Sequence, residues 1–107
     1  MYDPCMELAT PTAQATCVAI RKATTIDHVI DALRSYLASI EPIHQALLPP
    51  GLLTLGVKHA EEIAQAAVEL ARREASVAAQ APEAKFLNDA ATVFSTAAMR
   101  LAVLSVS

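Results

Sequence analysis

Two histidines and two glutamates form the pattern in this sequence with the clearest potential for chemistry. Glu41 and His44 are three residues apart, and His59 and Glu62 repeat this spacing in the opposite order. If the chain reverses at the Pro-Pro-Gly turn between them, the four side chains reach one level of a helix pair, where imidazole and carboxylate groups suit a divalent metal. Di-iron bundles use such Glu-x-x-His units, but they take further carboxylates from other helices. Because this chain has no second Glu-x-x-His and Pro42 distorts the turn, we expect structural roles, with no metal or other cofactor bound.

Other groupings typical of enzymes are absent from the sequence. There is no G-x-S-x-G, and the only two glycines, Gly51 and Gly56, cannot build a phosphate-binding loop. Cys5 and Cys17 have neither C-x-x-C nor zinc-finger spacing. Their spacing leaves a disulfide open, and we interpret Cys17 as a free thiol in the core. We therefore expect a protein without catalytic activity.

Charge and composition narrow the classes of function further. The formal net charge is −3, and the two basic pairs, Arg21-Lys22 and Arg72-Arg73, are isolated, so the basic patch of a nucleic-acid-binding protein is missing. The N-terminal residues are acidic without an apolar run, and the longest uncharged stretch, 42–57, contains Pro-Pro-Gly. We expect neither a signal peptide nor a transmembrane helix. The abundance of alanine over lysine is typical of bacterial proteins, and the sequence predicts a soluble cytoplasmic protein.

Helix caps and breakers divide the chain into segments with helical periodicity. Thr10 and Pro11 are a favourable start for a first helix, and Thr24 with Asp27 resembles the capping box of a second. Pro42 should kink or break that second helix, because proline removes a backbone hydrogen bond. Residues 1–10 are expected to be irregular apart from one turn. The predicted helices are 11–23, 26–48 with the kink or break, a third from between 52 and 57 to 79, and 82–104.

Alanine recurs at nearly every helical turn between residues 60 and 102, and 54% of the chain is hydrophobic. Alanine is the best helix former, and its small side chain lets helix backbones approach closely. A chain of 107 residues corresponds to one domain. The sequence therefore predicts a single all-α domain over residues 1–107, an antiparallel up-and-down bundle of three long helices and a weaker N-terminal helix.

The C-terminal helix carries the prediction of a binding partner. Its last turns are apolar on several sides, and a single neighbouring helix cannot cover all of them. Monomeric proteins rarely leave such apolar patches exposed. We predict a homodimer with an interface that comprises Ala97, Ala98, Leu101, Ala102 and Leu104. The favoured function is an interaction or dimerisation module that binds a protein through an apolar helix groove. The alternatives are a metal- or small-ligand-binding bundle and an amphipathic coat of apolar surfaces.

Overall fold

The helices of this protein begin and end at the caps and breakers in its sequence. The computed structural model describes residues 4–48, 60–77 and 83–106, and these ranges contain no strand. The predicted all-α bundle is therefore confirmed. No helix within the described ranges is both long enough and apolar enough to cross a membrane. The elements are a 3-10 turn at Pro4–Glu7, α1 Pro11–Lys22, α2 Ile26–Ser39, α3 Pro42–Gln45, α4 Ala60–Ser76 and α5 Glu83–Val106.

Threonine side chains cap the first two helices. Thr10 accepts a hydrogen bond from the Ala13 N–H, and proline occupies the first turn of α1, as predicted. The cap of α2 is Thr25, which accepts from the His28 N–H at 3.2 Å. The predicted cap at Thr24 is thus wrong by one residue. Thr25 has the extended backbone, φ −135° and ψ 156°, from which a hydroxyl reaches back to the first turn.

Pro42 breaks the second predicted helix instead of kinking it. Proline disfavours helical backbone in the residue before it, and Glu41 is extended with φ −62° and ψ 146°. α2 therefore ends at Ser39, and the short α3 ends at Gln45, three residues before the predicted end. The Gln45 side-chain amide donates to the carbonyls of Leu37 at 3.3 Å and Ile40 at 2.9 Å. The Ile40 carbonyl thereby gains a partner beyond the end of α2, and the Leu37 carbonyl, which also accepts the Ile40 N–H at 3.3 Å, gains a second donor.

The bounds of the last two helices differ from the predicted ones by a few residues. α4 ends at Ser76, three residues early, and the Ser76 hydroxyl donates to the Arg73 carbonyl at 3.0 Å. α5 begins at Glu83 and continues to Val106, two residues past the prediction. The predicted start of the third helix between residues 52 and 57 lies outside the described residues, and so does Pro82.

α1 and α5 run in the same direction. The backbone N–H of Thr10 contacts Asp89, the Cys17 sulfur lies 3.5 Å from the Thr96 hydroxyl, and Arg100 contacts the Ala23 carbonyl. Residue numbers thus increase together along both helices. The first and fourth helices of an up-and-down bundle are antiparallel, so the predicted up-and-down order is wrong for this pair.

The core lies where α5 packs against α4, α1 and α2. Buried alanines such as Ala67, Ala90 and Ala97 let α4 and α5 approach closely. Ala71, which the helical pattern assigns to the core, is exposed instead, because α5 covers a narrower face of α4 than the pattern suggests. The largest fully buried hydrophobic side chains are Phe94, Ile20, Leu33, Leu37, Ile63, Leu70, Leu87, Leu101, Val29 and Val93.

Cys5 and Cys17 form a disulfide, so the interpretation of Cys17 as a free thiol is wrong. Both residues are fully buried. The bond ties the 3-10 turn to the middle of α1, and that turn also contacts α5. The spacing of the two cysteines could not show whether they form a disulfide. The bond forms only because the chain before α1 folds back over that helix.

Candidate functional sites

An apolar groove runs between α4 and α5. Its volume is about 550 Å³, and its lining residues are Ala64, Ala67, Val68, Ala71, Arg72, Ala75, Ser95, Ala98 and Met99. Val68 and Met99 are 51% and 66% exposed, and Val103, one turn after Met99, is 57% exposed. Large apolar side chains that cluster at the surface in this way are typical of interaction sites.

Opposite charges lie at the two ends of the exposed face of α4. Glu61, Gln65, Val68 and Arg72 follow each other at intervals of three or four residues, and all four are exposed. They therefore form one stripe along the helix. Glu61 and Arg72 are separated by about 16 Å along the helix axis. Within the described part of the chain, neither of them forms an ion pair.

The predicted interface residues divide between the core and the surface. Ala97 and Leu101 are buried inside the single chain, with exposures of 0% and 1%. Ala98 lines the groove, Ala102 is exposed, and Leu104 is partly buried against the core. Ala97 and Leu101 thus serve the core of one chain, and the other three remain at or near its surface.

The described residues of the possible metal site differ in their exposure and in their contacts. Glu41 precedes α3 and is exposed, and Glu62 is exposed on α4. The His44 ring stacks on Phe86 with the ring centroids 4.7 Å apart. His59 lies outside the described residues, so the predicted four-residue arrangement stays a prediction. Across residues 4–48, 60–77 and 83–106, no three His, Cys, Asp or Glu side chains group in a way that could hold a metal.

Glu41 and His44 line a small cavity where α1, α2, α3 and α5 meet. Its volume is about 220 Å³, and its lining residues are Thr10, Thr12, Tyr36, Ser39, Ile40, Glu41, His44 and Phe86. Neither Tyr36 nor this cavity was predicted from the sequence as part of a site. A tyrosine on the apolar face of a helix was the available signal, because a buried phenol normally needs a hydrogen-bond partner.

Asp89 is a buried carboxylate beside this cavity, with 1% of its surface exposed. Its Oδ1 accepts the Ala9 N–H at 2.8 Å, and its Oδ2 accepts the Thr10 N–H at 3.1 Å and the Thr10 hydroxyl at 3.2 Å. Asp89 was not predicted from the sequence either. Its position three residues after Phe86, on the inward stripe of α5, was the signal for burial.

Tyr36 is neutral in the folded protein. Burial raises the pKa of its hydroxyl above the ordinary value, and the negative charge of Asp89 raises it further. The phenol therefore keeps its proton and can donate a hydrogen bond across the range in which proteins usually work.

The described residues thus present an apolar groove on one pair of helices and a polar cavity where four helices meet. The chain matches no protein-family model, no curated protein and no solved structure. The chemistry of these two features is therefore the basis for inferring a function.

Proposed function

We propose that this protein is a non-catalytic helical module that forms a homodimer through the α4–α5 groove. The observation that carries the proposal is the self-complementary stripe on α4, which has opposite charges at its ends and borders the exposed apolar groove. A second copy fits this face of α4 because, when the two α4 helices lie antiparallel, the acidic end of each stripe faces the basic end of the other. Two-fold pairing of one surface with itself is the commonest symmetry of soluble oligomers.

The stripe specifies how two copies of α4 would pair. If the two helices lie antiparallel with the symmetry axis between Ala66 and Ala67, Glu61 of each copy faces Arg72 of the other. Gln65 of each copy then lies opposite Val68 of the other. This arrangement pairs charges that have no ion-pair partner among the described residues of one chain. Complementary charges of this kind fix the register of an interface and disfavour wrong partners.

The exposed apolar side chains supply most of the expected affinity. Burying a large apolar side chain completely is favourable by roughly 1.5–3 kcal/mol. Val68, Met99 and Val103 are about half exposed, so each contributes a part of that amount, and each is present twice in the dimer. Association costs about 4–15 kcal/mol in lost freedom. Together the six side chains contribute roughly 4–9 kcal/mol, which is comparable with that cost, and the charge pairs add to this contribution.

The test is a charge swap read out by light scattering after gel filtration. At about 100 µM, a concentration that detects binding of about 5–6 kcal/mol, we expect the unchanged protein to have twice the 11.3 kDa chain mass. Glu61→Arg should give a monomer, because it sets two positive charges against each other. The double variant Glu61→Arg, Arg72→Glu should restore the dimer.

The matched control is Ile43→Glu, because Ile43 is 73% exposed on α3, away from the groove. It should leave the dimer intact, whereas Val68→Glu should abolish it. A monomeric unchanged protein, or a dimer that neither Glu61→Arg nor Val68→Glu affects, would contradict the proposal.

We also propose that the protein works in an oxidising compartment and not in the cytoplasm that the sequence predicts. The Cys5–Cys17 disulfide supports this location, because thiol systems of the cytosol keep cysteines reduced. Rapid alkylation of free thiols in intact cells tests it. Cysteines that react fully before any reductant is added would contradict this location.

A further inference from the structure

The cavity beside Tyr36 has no part in the proposed dimer. It lies among α1, α2, α3 and the first turns of α5, whereas the groove lies between α4 and the later turns of α5. Its chemistry also differs, because hydroxyl, carboxylate, imidazole and aromatic groups line it in place of alanines. A role for this cavity is therefore independent of the α4–α5 groove.

The hydroxyl of Tyr36 is the first sign that the cavity takes a ligand. Tyr36 is only 4% exposed, and its hydroxyl has no hydrogen-bond partner among the described residues. Since no fully enclosed polar side-chain atom in those residues lacks a partner, the hydroxyl must open onto the cavity that Tyr36 lines. Within the cavity the hydroxyl is free to donate to a bound molecule, be it water or a ligand. A ligand oxygen in the cavity would supply the missing acceptor.

The charges around the cavity determine which ligands it favours. Glu41 lines it, and the buried carboxylate of Asp89 lies behind Thr10, which also lines it. The donors that the structure gives to Asp89 are two backbone N–H groups and a hydroxyl, so the N-terminal dipole of α1 offsets part of its negative charge but no side-chain cation among these donors neutralises it. No lysine or arginine is among the described lining residues. The two carboxylates at the cavity thus favour a cation over an anion as its ligand.

The size and the aromatic walls restrict the ligand further. A volume of about 220 Å³ corresponds to roughly seven water molecules of the liquid, so only a small molecule fits. Tyr36, Phe86 and the His44 ring stacked on it contribute aromatic surface. Aromatic faces bind organic cations through their quadrupoles, and quaternary ammonium groups are common ligands of such sites.

We infer that this cavity binds a small organic ammonium ion that carries a hydroxyl or carbonyl oxygen. The Tyr36 hydroxyl donates to the ligand oxygen, and the carboxylates of Glu41 and Asp89 provide the field that attracts the ammonium group. The aromatic side chains supply the apolar contact area. Since the ligand touches neither Val68 nor Arg72, binding does not depend on whether the protein dimerises.

The test is a titration with choline, followed by amide chemical shifts in the full chain. Choline has the required cation, hydroxyl and size. We expect saturable shifts at Tyr36, His44 and Phe86. Its neutral carbon isostere, 3,3-dimethylbutan-1-ol, should bind about tenfold more weakly, the factor that about 1.4 kcal/mol represents. Equal binding of both compounds, or no saturable shift at these residues, would overturn the inference.

Variants separate the roles of the side chains. Tyr36→Phe keeps the shape of the ring and should weaken choline binding about tenfold, the loss expected for one hydrogen bond. Glu41→Gln should weaken it several-fold, whereas the control Asp31→Asn removes an equal charge from the exposed side of α2 and should leave binding unchanged. Unaltered affinity in Tyr36→Phe would contradict the inference, and so would equal losses in Glu41→Gln and Asp31→Asn.

Discussion

Tyr36 connects the proton equilibrium of a single side chain to the stability of the fold. Burial, followed by the charge of Asp89, raises the pKa of its hydroxyl above the ordinary 10.0. The folded protein therefore holds this proton more tightly than the unfolded chain does. The resulting stabilisation is complete below about pH 10 and is lost as the pH rises through the pKa of the folded state. Neutral and acidic conditions leave this contribution untouched.

The titration of Tyr36 should be visible in the stability of the protein at alkaline pH. We expect the free energy of unfolding to decrease as the pH rises above about 10, and Tyr36→Phe to remove the part of that decrease that Tyr36 causes. Urea unfolding between pH 8 and pH 11, at fixed ionic strength, measures both slopes. Equal slopes for the variant and the unchanged protein would show that Tyr36 does not titrate with folding.

At the scale of elements, α5 holds α1 at both of its ends. Asp89 accepts hydrogen bonds at the N-terminus of α1, and Arg100 donates to the Ala23 carbonyl at its C-terminus, from Nε at 2.9 Å and Nη2 at 2.6 Å. An acid at the N-terminus and a base at the C-terminus both match the dipole of α1. These contacts thus fix how far α1 can slide along its own axis as well as the distance between α1 and α5.

The prediction for this contact concerns Asp89→Ala. The substitution leaves the N–H groups of Ala9 and Thr10 without their acceptor, and a buried donor that loses its partner costs about 1–3 kcal/mol. We expect a loss of about 3 kcal/mol in the free energy of unfolding, measured with urea. The control Asp31→Ala, on the exposed side of α2, should change stability by less than about 0.5 kcal/mol. A similar loss in both variants would contradict the role of Asp89.

Local signals in the sequence were sufficient to predict most helix bounds. Thr10 and Pro11 begin α1, and Pro42 ends the helical run before it, because capping and ring closure act on neighbouring residues. The direction of α1 relative to α5 depends on contacts such as that of Thr10 with Asp89, which are 79 residues apart. Such contacts leave no periodic trace in the sequence. For the same reason the cavity beside Tyr36 was missed, although two of its residues, Glu41 and His44, were singled out.

For the molecule as a whole, the disulfide is a stabilising crosslink. Cys5 and Cys17 are 12 residues apart, and closing a loop of this size stabilises a protein by about 3 kcal/mol through the entropy of the unfolded chain. We expect a reductant to lower the free energy of unfolding by about that amount. The double variant Cys5→Ala, Cys17→Ala should be less stable and insensitive to the reductant. Equal unfolding curves with and without reductant for the unchanged protein would contradict this contribution.

The contacts between α1 and α5 join two segments that are synthesised at very different times. Thr10 is made 79 residues before Asp89, which corresponds to about 4–16 s at typical elongation rates. Throughout that time the apolar face of α1, with Ala13 and Ile20, has no α5 to cover it. Both cysteines are already made, so their bond can close on the growing chain. α1 can pack against α2 soon after both are made, but its docking on α5 has to wait until α5 is synthesised.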